Sequence, residues 1–512
     1  MNKKIIAYDL GTGGNKASLY DSEGLCLAST FYAYETLYPL AGMHEQRPAD
    51  WWDSIVSSTR QLLDETGVDV NEIECLALSG HSLGVVPLDK NGTLLRESTP
   101  IWSDSRAGDQ AEAFFEKTDQ KDWYMTTGNG FPAKLYSVFK ILWYQDNEPG
   151  VFKKIFKVIG TKDYINYHLT GQIKTDYSYA SGSGVYDLKA WGYSPDLIAA
   201  SGLDPDIFPD IVPSTEIIGN LSQEAAESLG LPRKVKVAAG GVDNSCMALG
   251  ARNTAGGRVY LSLGSSAWIA VSDDNPVLDV NSRPFVFTHV IPGMFTSAVS
   301  IFSAGNSFRW LRDNICPDLV EKASREDRDV YELMTELAER SPTGANKLLF
   351  NPSLAGGSSQ EPNADIRGAF SGLDLGHTRG DLIRAGMEGI AMNLGFVLEV
   401  LKRFSSLSNE MVIVGGGSKS SLWRQIFADV FNMNMVKTNI GEEAGSLGAA
   451  AIAAVGCGLW KDFSKVDQVH QVESIAEPIS ENTEIYKKLV PMYEMLRNAQ
   501  AEIGKALHRI SI

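Results

Sequence analysis

"IIAYDLGTGGNKASLYD" (Ile5–Asp21) runs from an apolar strand into an aspartate, crosses a glycine-rich turn and returns as a strand ending in a second aspartate. The alternation on either side of "GTGG" predicts two antiparallel strands, and "LCLASTFYAYE" (Leu25–Glu35) extends them into a meander. Phosphate-binding glycine loops usually lead from a strand into a helix, whose N-terminus adds partial positive charge. Here the chain turns straight back into a strand. A hairpin tip can still offer backbone N–H groups, a small hydroxyl and a lysine to phosphate oxygens. Gly11, Thr12, Gly13 and Lys16 supply those groups, and a plain surface hairpin is the other reading of the same residues.

Outward from this stretch, "PADWWDSIVSSTRQLLDETG" (Pro48–Gly67) spaces Trp52, Ile55, Val56, Leu62 and Leu63 as one face of a helix. "IECLALSGHSLGVVPLDKNGTLL" (Ile73–Leu95) reads as a buried strand, a polar turn, a second strand and a hairpin at Lys90-Asn91-Gly92. Halfway along, "GRVYLSLGSSAWIAVSDD" (Gly257–Asp274) echoes the opening: strand, Leu-Gly-small-small turn, returning strand ending in aspartate. Two similar halves fit the length, because 512 residues exceed what one hydrophobic core supports. The expected boundary lies in "ARNTAGG" (Ala251–Gly257), giving domains 1–253 and 254–512. The net charge of -17 leaves no basic footprint for nucleic acid. Asp9 interrupts any leader-like apolar run, and no stretch approaches the roughly 20 apolar residues of a spanning helix, so a cytoplasmic protein without a membrane partner is expected. The five cysteines are scattered, without C-x-x-C or a histidine cluster, which predicts free thiols rather than disulfides or a metal site.

Two stretches narrow the family. "LYSVFKILWYQDN" (Leu135–Asn147) carries Ser137, Lys140, Ile141, Trp143, Asp146 and Asn147 in the register of one signature, with Leu135 a departure. "GAFSGLDLGHTRGDLIRAGMEG" (Gly368–Gly389) carries Gly368, Phe370, Gly372, Leu373, Asp381, Leu382, Ala385 and Glu388 in the register of another, with Gly386 a departure. Together they resemble the FGGY carbohydrate kinases of the sugar-kinase/actin/chaperone ATPase superfold. That resemblance implies an α/β fold of two duplicated, ribonuclease H-like domains with a cleft between the lobes. The N-terminal domain would hold the sugar, the phosphate loop and the catalytic base, and the C-terminal domain would hold ATP. It also implies Mg²⁺ as cofactor and is compatible with a homodimer. "VIGTKDYINYHLTGQIKTDYSYASGSGVYDL" (Val158–Leu188) and "AGGVDNSCMALG" (Ala239–Gly250) are similar to the xylulose kinases of that family. Their Gly-Gln-Met-His-Gly is replaced by "GHSLG" (Gly80–Gly84), so Leu83 stands at the usual histidine and the polar group moves to His81.

An alcohol becomes a good nucleophile only when a positioned base removes its proton. Asp243 follows the apolar strand "VKVAAGG" (Val235–Gly241) and suits that task, and the resemblance assigns its counterpart the same role. A helix N-cap for "NSCMALGA" is the alternative. Asp9 reads as a carboxylate near Mg²⁺ or as a turn residue bonding Gly11–Gly13, and Asp243 is the second candidate metal neighbour. Thr12, Gly13 and Lys16 on the first half, with Gly264 and Ser265 on the second, are candidate ATP phosphate contacts. "VGGGSKSSLW" (Val414–Trp423) offers Gly416, Gly417, Ser418 and Ser421 to the nucleoside. A Rossmann site would require an acidic residue about twenty positions on, and "NMNMVKTN" (Asn432–Asn439) has none. Gly305 and Arg309 in "FSAGNSFRWLRD" (Phe302–Asp313) match the family helix that borders the base and ribose. For the sugar, Trp102, Asp104 and Arg106 match the family's Trp-x-Asp-x-Arg, against core packing and a surface ion pair as the plain readings. His81 and Asn244 complete the substrate set, and Asn129, His44 and Glu45 are weaker members that loop structure accounts for equally well.

The reading that follows is ATP-dependent phosphorylation of a primary hydroxyl of a small sugar in carbohydrate catabolism. D-xylulose or a related ketopentose leads, with gluconate, ribulose, a tetrulose or a pentitol as other acceptors. An actin-fold ATPase switch lacks the two signatures, and a non-catalytic sugar module would lack Asp243.

Overall fold

The structure is a computed structural model that describes residues 3–358 and 360–510. The chain forms two compact units. One comprises Met1–Gly256, Ser272–Ser297 and Glu443–His470; the other comprises Gly257–Val271, Ala298–Glu442 and Gln471–Ile512. In chain order the first unit runs through β1 (Lys4–Leu10), β2 (Gly14–Asp21), β3 (Cys26–Ala33), α1 (Pro48–Thr66), β4 (Ile73–Gly80), α2 (Ser137–Asn147), α3 (Thr161–Thr170), β5 (Ile217–Asn220), β6 (Lys236–Ala238) and α4 (Asp243–Gly250). The second continues with β7 (Arg258–Leu263), β8 (Ala267–Asp273), β9 (Phe295–Ile301), α5 (Gly305–Ile315), α6 (Val330–Ala338), α7 (Arg379–Lys402), β10 (Glu410–Val414), α8 (Ser421–Phe431) and β11 (Asn434–Thr438). Then α9 (Ala444–Gly456) returns to the first unit, and β12 (Val472–Ala476) and α10 (Ser480–His508) complete the second. Among the described residues no helix is long and apolar enough to cross a membrane.

The two sheets repeat one topology. The first is ordered β3-β2-β1-β4-β6-β5 and the second β9-β8-β7-β10-β11-β12, with the strand Phe285–Thr288 added beyond β9. In each, the inner strand of the opening hairpin pairs in parallel with the next strand, β1 with β4 and β7 with β10. A further parallel strand follows, β6 or β11, and an antiparallel one closes the edge. The faint echo between Ile5–Asp21 and Gly257–Asp274 is therefore a duplicated architecture. Sequence identity between the halves has faded because a strand face needs only apolar bulk and a turn only small residues.

Local chemistry explains the first unit. Ile6, Tyr8 and Leu10 share a core with Trp51, Ile55 and Leu62 of α1, and the buried Tyr8 hydroxyl bonds Thr59 Oγ1 at 2.7 Å. The alternate residues, Ala7 and Asp9 of β1 with Ala77 and Ser79 of β4, point to the opposite face. There α9 packs across β1 and β4 and against α4. Small residues permit that approach: a Cβ at Gly448 would stand 2.0 Å from the Cys246 carbonyl oxygen, and one at Gly250 would stand 1.8 Å from that of Ala444.

The chain reverses at Lys90–Gly92 as a short hairpin turn, the Gly92 N–H donating to the Asp89 carbonyl at 2.9 Å. Val86–Leu88 takes Lys157–Ile159 as its antiparallel partner and also meets the following segment, through a Leu88–Leu94 bridge, the Leu95 N–H on the Pro87 carbonyl at 3.0 Å and the Asp89 N–H on the Thr93 carbonyl at 2.9 Å. Asp89 Oδ1 accepts from the Asn91 and Thr93 N–H groups, curling the chain into a loop. In the second unit, Glu388 of α7 is buried and accepts from Arg384 Nε at 2.7 Å and from the Tyr486 hydroxyl of α10 at 2.8 Å. The second signature is thus partly structural.

Replacing Gly448 with alanine should cost about 2 kcal/mol, because backbone lies where the methyl must go. Gly395→Ala, in the interior of α7 with Val430 at an ordinary 3.7 Å, should be neutral or stabilising by up to about 1 kcal/mol. Chemical denaturation of the two variants checks the contrast.

Candidate active site

In the first unit the strand ends deliver two carboxylates. Asp9 lies next to Ser79 across the parallel β1–β4 ladder and opposite Lys16 across the hairpin. Ser79 Oγ donates to Asp9 Oδ1 at 2.7 Å. The first turn of α9 presses close, since a Cβ at Gly445 would stand 2.7 Å from Asp9 Oδ2. Gly241 and Val242 form a two-residue strand on the end of β4, in register with Ser79 and Gly80. This pairing brings Asp243 to the same edge. Val242 is the cap residue of α4 and Asp243 its first helical residue; Oδ1 accepts from the Asn244 N–H at 2.8 Å and Asn244 Nδ2 at 2.9 Å. Its side chain therefore does not cap the helix in the ordinary way.

Both carboxylates keep a partly open face. Burial pushes the Asp9 carboxyl above the usual range, with the Ser79 bond and the Lys16 charge opposing. The Asp243 carboxyl is pushed up to about 7, first by burial and then by the charge of Asp9, with the Asn244 bonds opposing. Among the described residues no third His, Cys, Asp or Glu joins them in a metal-binding group. Two mutually repelling hard-oxygen donors suit a Mg²⁺ ion, which takes few carboxylates and fills its shell with water and phosphate oxygens.

The hairpin tip is braced from outside. Gly11 N–H donates to the Gly14 carbonyl at 3.0 Å, Gln46 Nε2 to the Thr12 carbonyl at 2.7 Å, and the Tyr34 hydroxyl to the Gly11 carbonyl. A side chain at Gly13 would meet nothing within 4 Å. Trp102, 37% exposed, donates from Nε1 to Thr12 Oγ1 at 2.8 Å. The indole expected at the sugar is therefore tied to the expected phosphate loop.

The neighbouring candidates make bonds and ring contacts within the first unit. Asp104 is buried and accepts from the His44 N–H at 2.7 Å and from Arg106 Nε and Nη2 at 2.9 and 2.8 Å. Arg106 also donates to Glu45 at 2.6 Å and lies over the Trp143 ring. His44 Nδ1 bonds Ser103 Oγ at 2.8 Å. His81 is buried with its ring edge-on to Trp51, and among the described residues neither ring nitrogen has a hydrogen-bond partner. Burial and the Lys140 charge push its pKa down to about 3, so the ring is neutral. Asn129 is buried and donates to the Ser181 carbonyl at 3.0 Å. Sequence reading gave Lys140 no task. Its buried ammonium donates to the carbonyls of Leu83 (3.1 Å) and Ile101 (2.6 Å), fastening the loop after β4 to the Trp102 loop. Leu83 itself has φ +58, a conformation leucine rarely adopts.

In the second unit a pocket of about 760 Å³ is lined by Gly264, Ser265, Gly305, Arg309, Gly416, Gly417 and Ser421. Glycine is needed where backbones meet: the Gly305 N–H donates to the Gly264 carbonyl at 3.0 Å, and a Cβ at Gly305 would sit 2.3 Å from that oxygen. Ser418 is buried beneath the pocket, its carbonyl taking Arg424 Nη1 at 2.5 Å, and does not line it. Sequence reading missed the aromatic wall of Phe308, Tyr331 and Trp423, with Phe308 ring centroids 5.8 Å from Tyr331 and 4.9 Å from Trp423. Phe308 lies one turn beyond Gly305, a signal that was available. Tyr331, on α6, is set there only by tertiary packing. An apolar aromatic wall and glycines lining one pocket suit a planar base.

Residues 4–250 match the N-terminal domain and residues 259–457 the C-terminal domain of the FGGY family of carbohydrate kinases. The chain is 30% identical to a xylulose kinase of Bacillus subtilis (strain 168) over 506 residues, 99% of each chain. Two solved structures are similar to it at 26% identity. One is a ligand-bound xylulose kinase from Lactobacillus acidophilus, with TM-score 0.88 and 98% of each chain covered. The other is a gluconate kinase from the same organism, with TM-score 0.89, 99% of this chain and 100% of that chain covered. The chain belongs to the FGGY family of carbohydrate kinases.

A carboxyl whose pKa is held above its unfolded value destabilises the fold once ionised, so stability falls as pH rises from about 4 through 7. Asp243→Asn, which cannot ionise, should therefore be more stable than wild type at pH 8 by about 2 kcal/mol, solvent at the open face reducing the full linkage value. The gap should close toward pH 4. Thermal melts across that range measure it, and an equal gap at both ends would contradict the assigned environment of Asp243.

Proposed function

We propose that this ATP-dependent carbohydrate kinase transfers the terminal phosphoryl group of Mg-ATP to a primary hydroxyl of a small neutral ketose, D-xylulose or a related ketopentose, in carbohydrate catabolism. The observation that carries the reading is Asp243: a carboxyl at a strand end, beside Asp9, whose pKa of about 7 matches the operating range of a general base. In its ionised form it accepts the hydroxyl proton as the oxygen attacks phosphorus. Asn244 holds one of its oxygens and leaves the other for the acceptor. Mg²⁺, when bound, neutralises phosphate charge and orients the transferred group, and Asp9 and Asp243 are the residues that would hold it, largely through water. Thr12, Gly13 and Lys16 are the phosphate-binding candidates of the first unit. In the second, Gly264 and Ser265 face phosphate, Gly416 and Gly417 form a floor for the base, and Phe308, Tyr331 and Trp423 form its wall.

A neutral acceptor fits the electrostatics better than a sugar acid. An aldonate carboxylate calls for a cation with unspent donors. Arg106 is committed to Asp104 and Glu45, Lys140 to two carbonyls, and Lys162 to Asp163 and Asp176. None of these three is free for an aldonate; the gluconate reading, supported by likeness to a gluconate kinase, would have to use another cation such as Arg283, whose buried Nη2 has no hydrogen-bond partner among the described residues.

Asp243→Ala should lower kcat by roughly 10²- to 10⁴-fold while ATP affinity, read by calorimetry, stays within a few-fold. Wild-type turnover in that variant removes the base assignment. A rate screen of ketopentoses, tetruloses, pentitols and gluconate with ATP and Mg²⁺ should rank a neutral ketose first; gluconate at the top would overturn the acceptor class.

A further inference from the structure

Asp243 is delivered by the segment Ala239–Val242, and a buried charged cluster grips that segment. Lys162 Nζ and Asn166 Nδ2, both on α3, donate to the Ala239 carbonyl at 3.2 and 2.8 Å. Gly240 turns with φ +76, and a Cβ there would stand 2.3 Å from the Leu78 carbonyl oxygen. Its N–H donates to the Ser214 carbonyl at 3.0 Å. Gly241 and Val242 then pair with Ser79 and Gly80. The Val242 N–H, the last backbone donor before Asp243, goes to a side chain: Ser178 Oγ accepts it at 2.9 Å.

A serine hydroxyl has one proton, so an oxygen that accepts from Val242 must donate elsewhere. Ser178 Oγ donates to Asp176 Oδ2 at 2.5 Å. Asp176 also accepts from Ser214 Oγ at 2.8 Å and pairs with Lys162 at 3.0 Å, and Lys162 bonds Asp163 at 2.5 Å. Lys162, Asp176 and Ser178 are completely buried. Burying such charges earns little net stability, and apolar residues of similar volume would fill the space as well. What the polar chain adds is direction, because each hydrogen bond fixes an angle and polarises the next.

We propose that Lys162, Asp176 and Ser178 form a positioning relay that fixes the Val242 N–H and so aims the Asp243 carboxylate at the acceptor hydroxyl. Ser178 is then a positioning residue, and the inference rests on the reading of Asp243 as the base. A displacement of about 1 Å at a reacting group costs up to about 100-fold in rate, so loss of the Ser178 bond acts on turnover and spares ligand affinity.

The test is steady-state kinetics of the full-length protein, with the best acceptor from the rate screen. Ser178→Ala should lower kcat roughly 10- to 100-fold, with KM for acceptor and ATP within about threefold of wild type. Ser214→Ala removes another bond to the same Asp176 oxygen but keeps its backbone carbonyl on Gly240, so it controls for lost stability; its kcat should stay within about threefold. If Ser178→Ala does not fold, Asn166→Ala, which leaves the Ala239 carbonyl to Lys162 alone, is read by the same criteria. Undiminished kcat in Ser178→Ala, a rise in KM alone, or equal losses in Ser178→Ala and Ser214→Ala each overturn the relay. Asp243→Asn, run alongside, separates the two levels. If it is inactive while Ser178→Ala is fully active, only the relay falls; if it is fully active, the base reading falls and the relay with it.

Discussion

Two carboxylates that repel each other, Asp9 and Asp243, are brought to one sheet edge where each is partly withdrawn from water. That is the constraint the first unit is built around. Withdrawal from water favours the protonated form of a carboxyl and a neighbouring like charge adds to it; the rise at Asp243 is that response, burial first and the Asp9 charge second. In the proposed function a cation would relieve the repulsion, and a carboxylate so placed would take a proton from an alcohol. The cost in stability is local, and the surrounding core carries it.

The remaining architecture serves to hold that edge still. Parallel pairing of β1 with β4 places Asp9 beside Ser79, and two residues of pairing beyond β4 place Asp243 nearby. Small residues on α9 let a helix approach until only glycine fits against Asp9. Several residues that look like ligands by type also bond one another within the first unit. Asp104, Arg106, His44 and Glu45 form a closed polar network under Trp102, and Lys140 fastens two loops by their carbonyls. A fully satisfied network of this kind gives position rather than free donors.

Much of the architecture was legible in the chain. The strand–glycine turn–strand of Ile5–Asp21 and its echo at Gly257–Asp274 became the inner hairpins of two sheets with one topology. Strand periodicity and turn glycines are local signals, so they survive in a single sequence. Burial and partner choice are not local. His81 reads as a polar residue after a strand, yet its ring is buried against Trp51. Ser418 reads like its neighbours in "GGGSKSS", yet it lies below the pocket floor. Tyr331 had no motif around it, because an aromatic wall is assembled from helices distant in the chain.

The amino-acid order alone determined the duplicated α/β plan, the family, and the residue types at the two glycine-rich turns, since each is written in spacing along a few consecutive residues. Tertiary structure alone decided which polar groups remain available for chemistry. A hydrogen bond consumes a donor or acceptor, and the partners of Asp104, Arg106, Lys140 and Ser178 come from segments tens of residues away. Only the folded chain brings those segments within 3 Å.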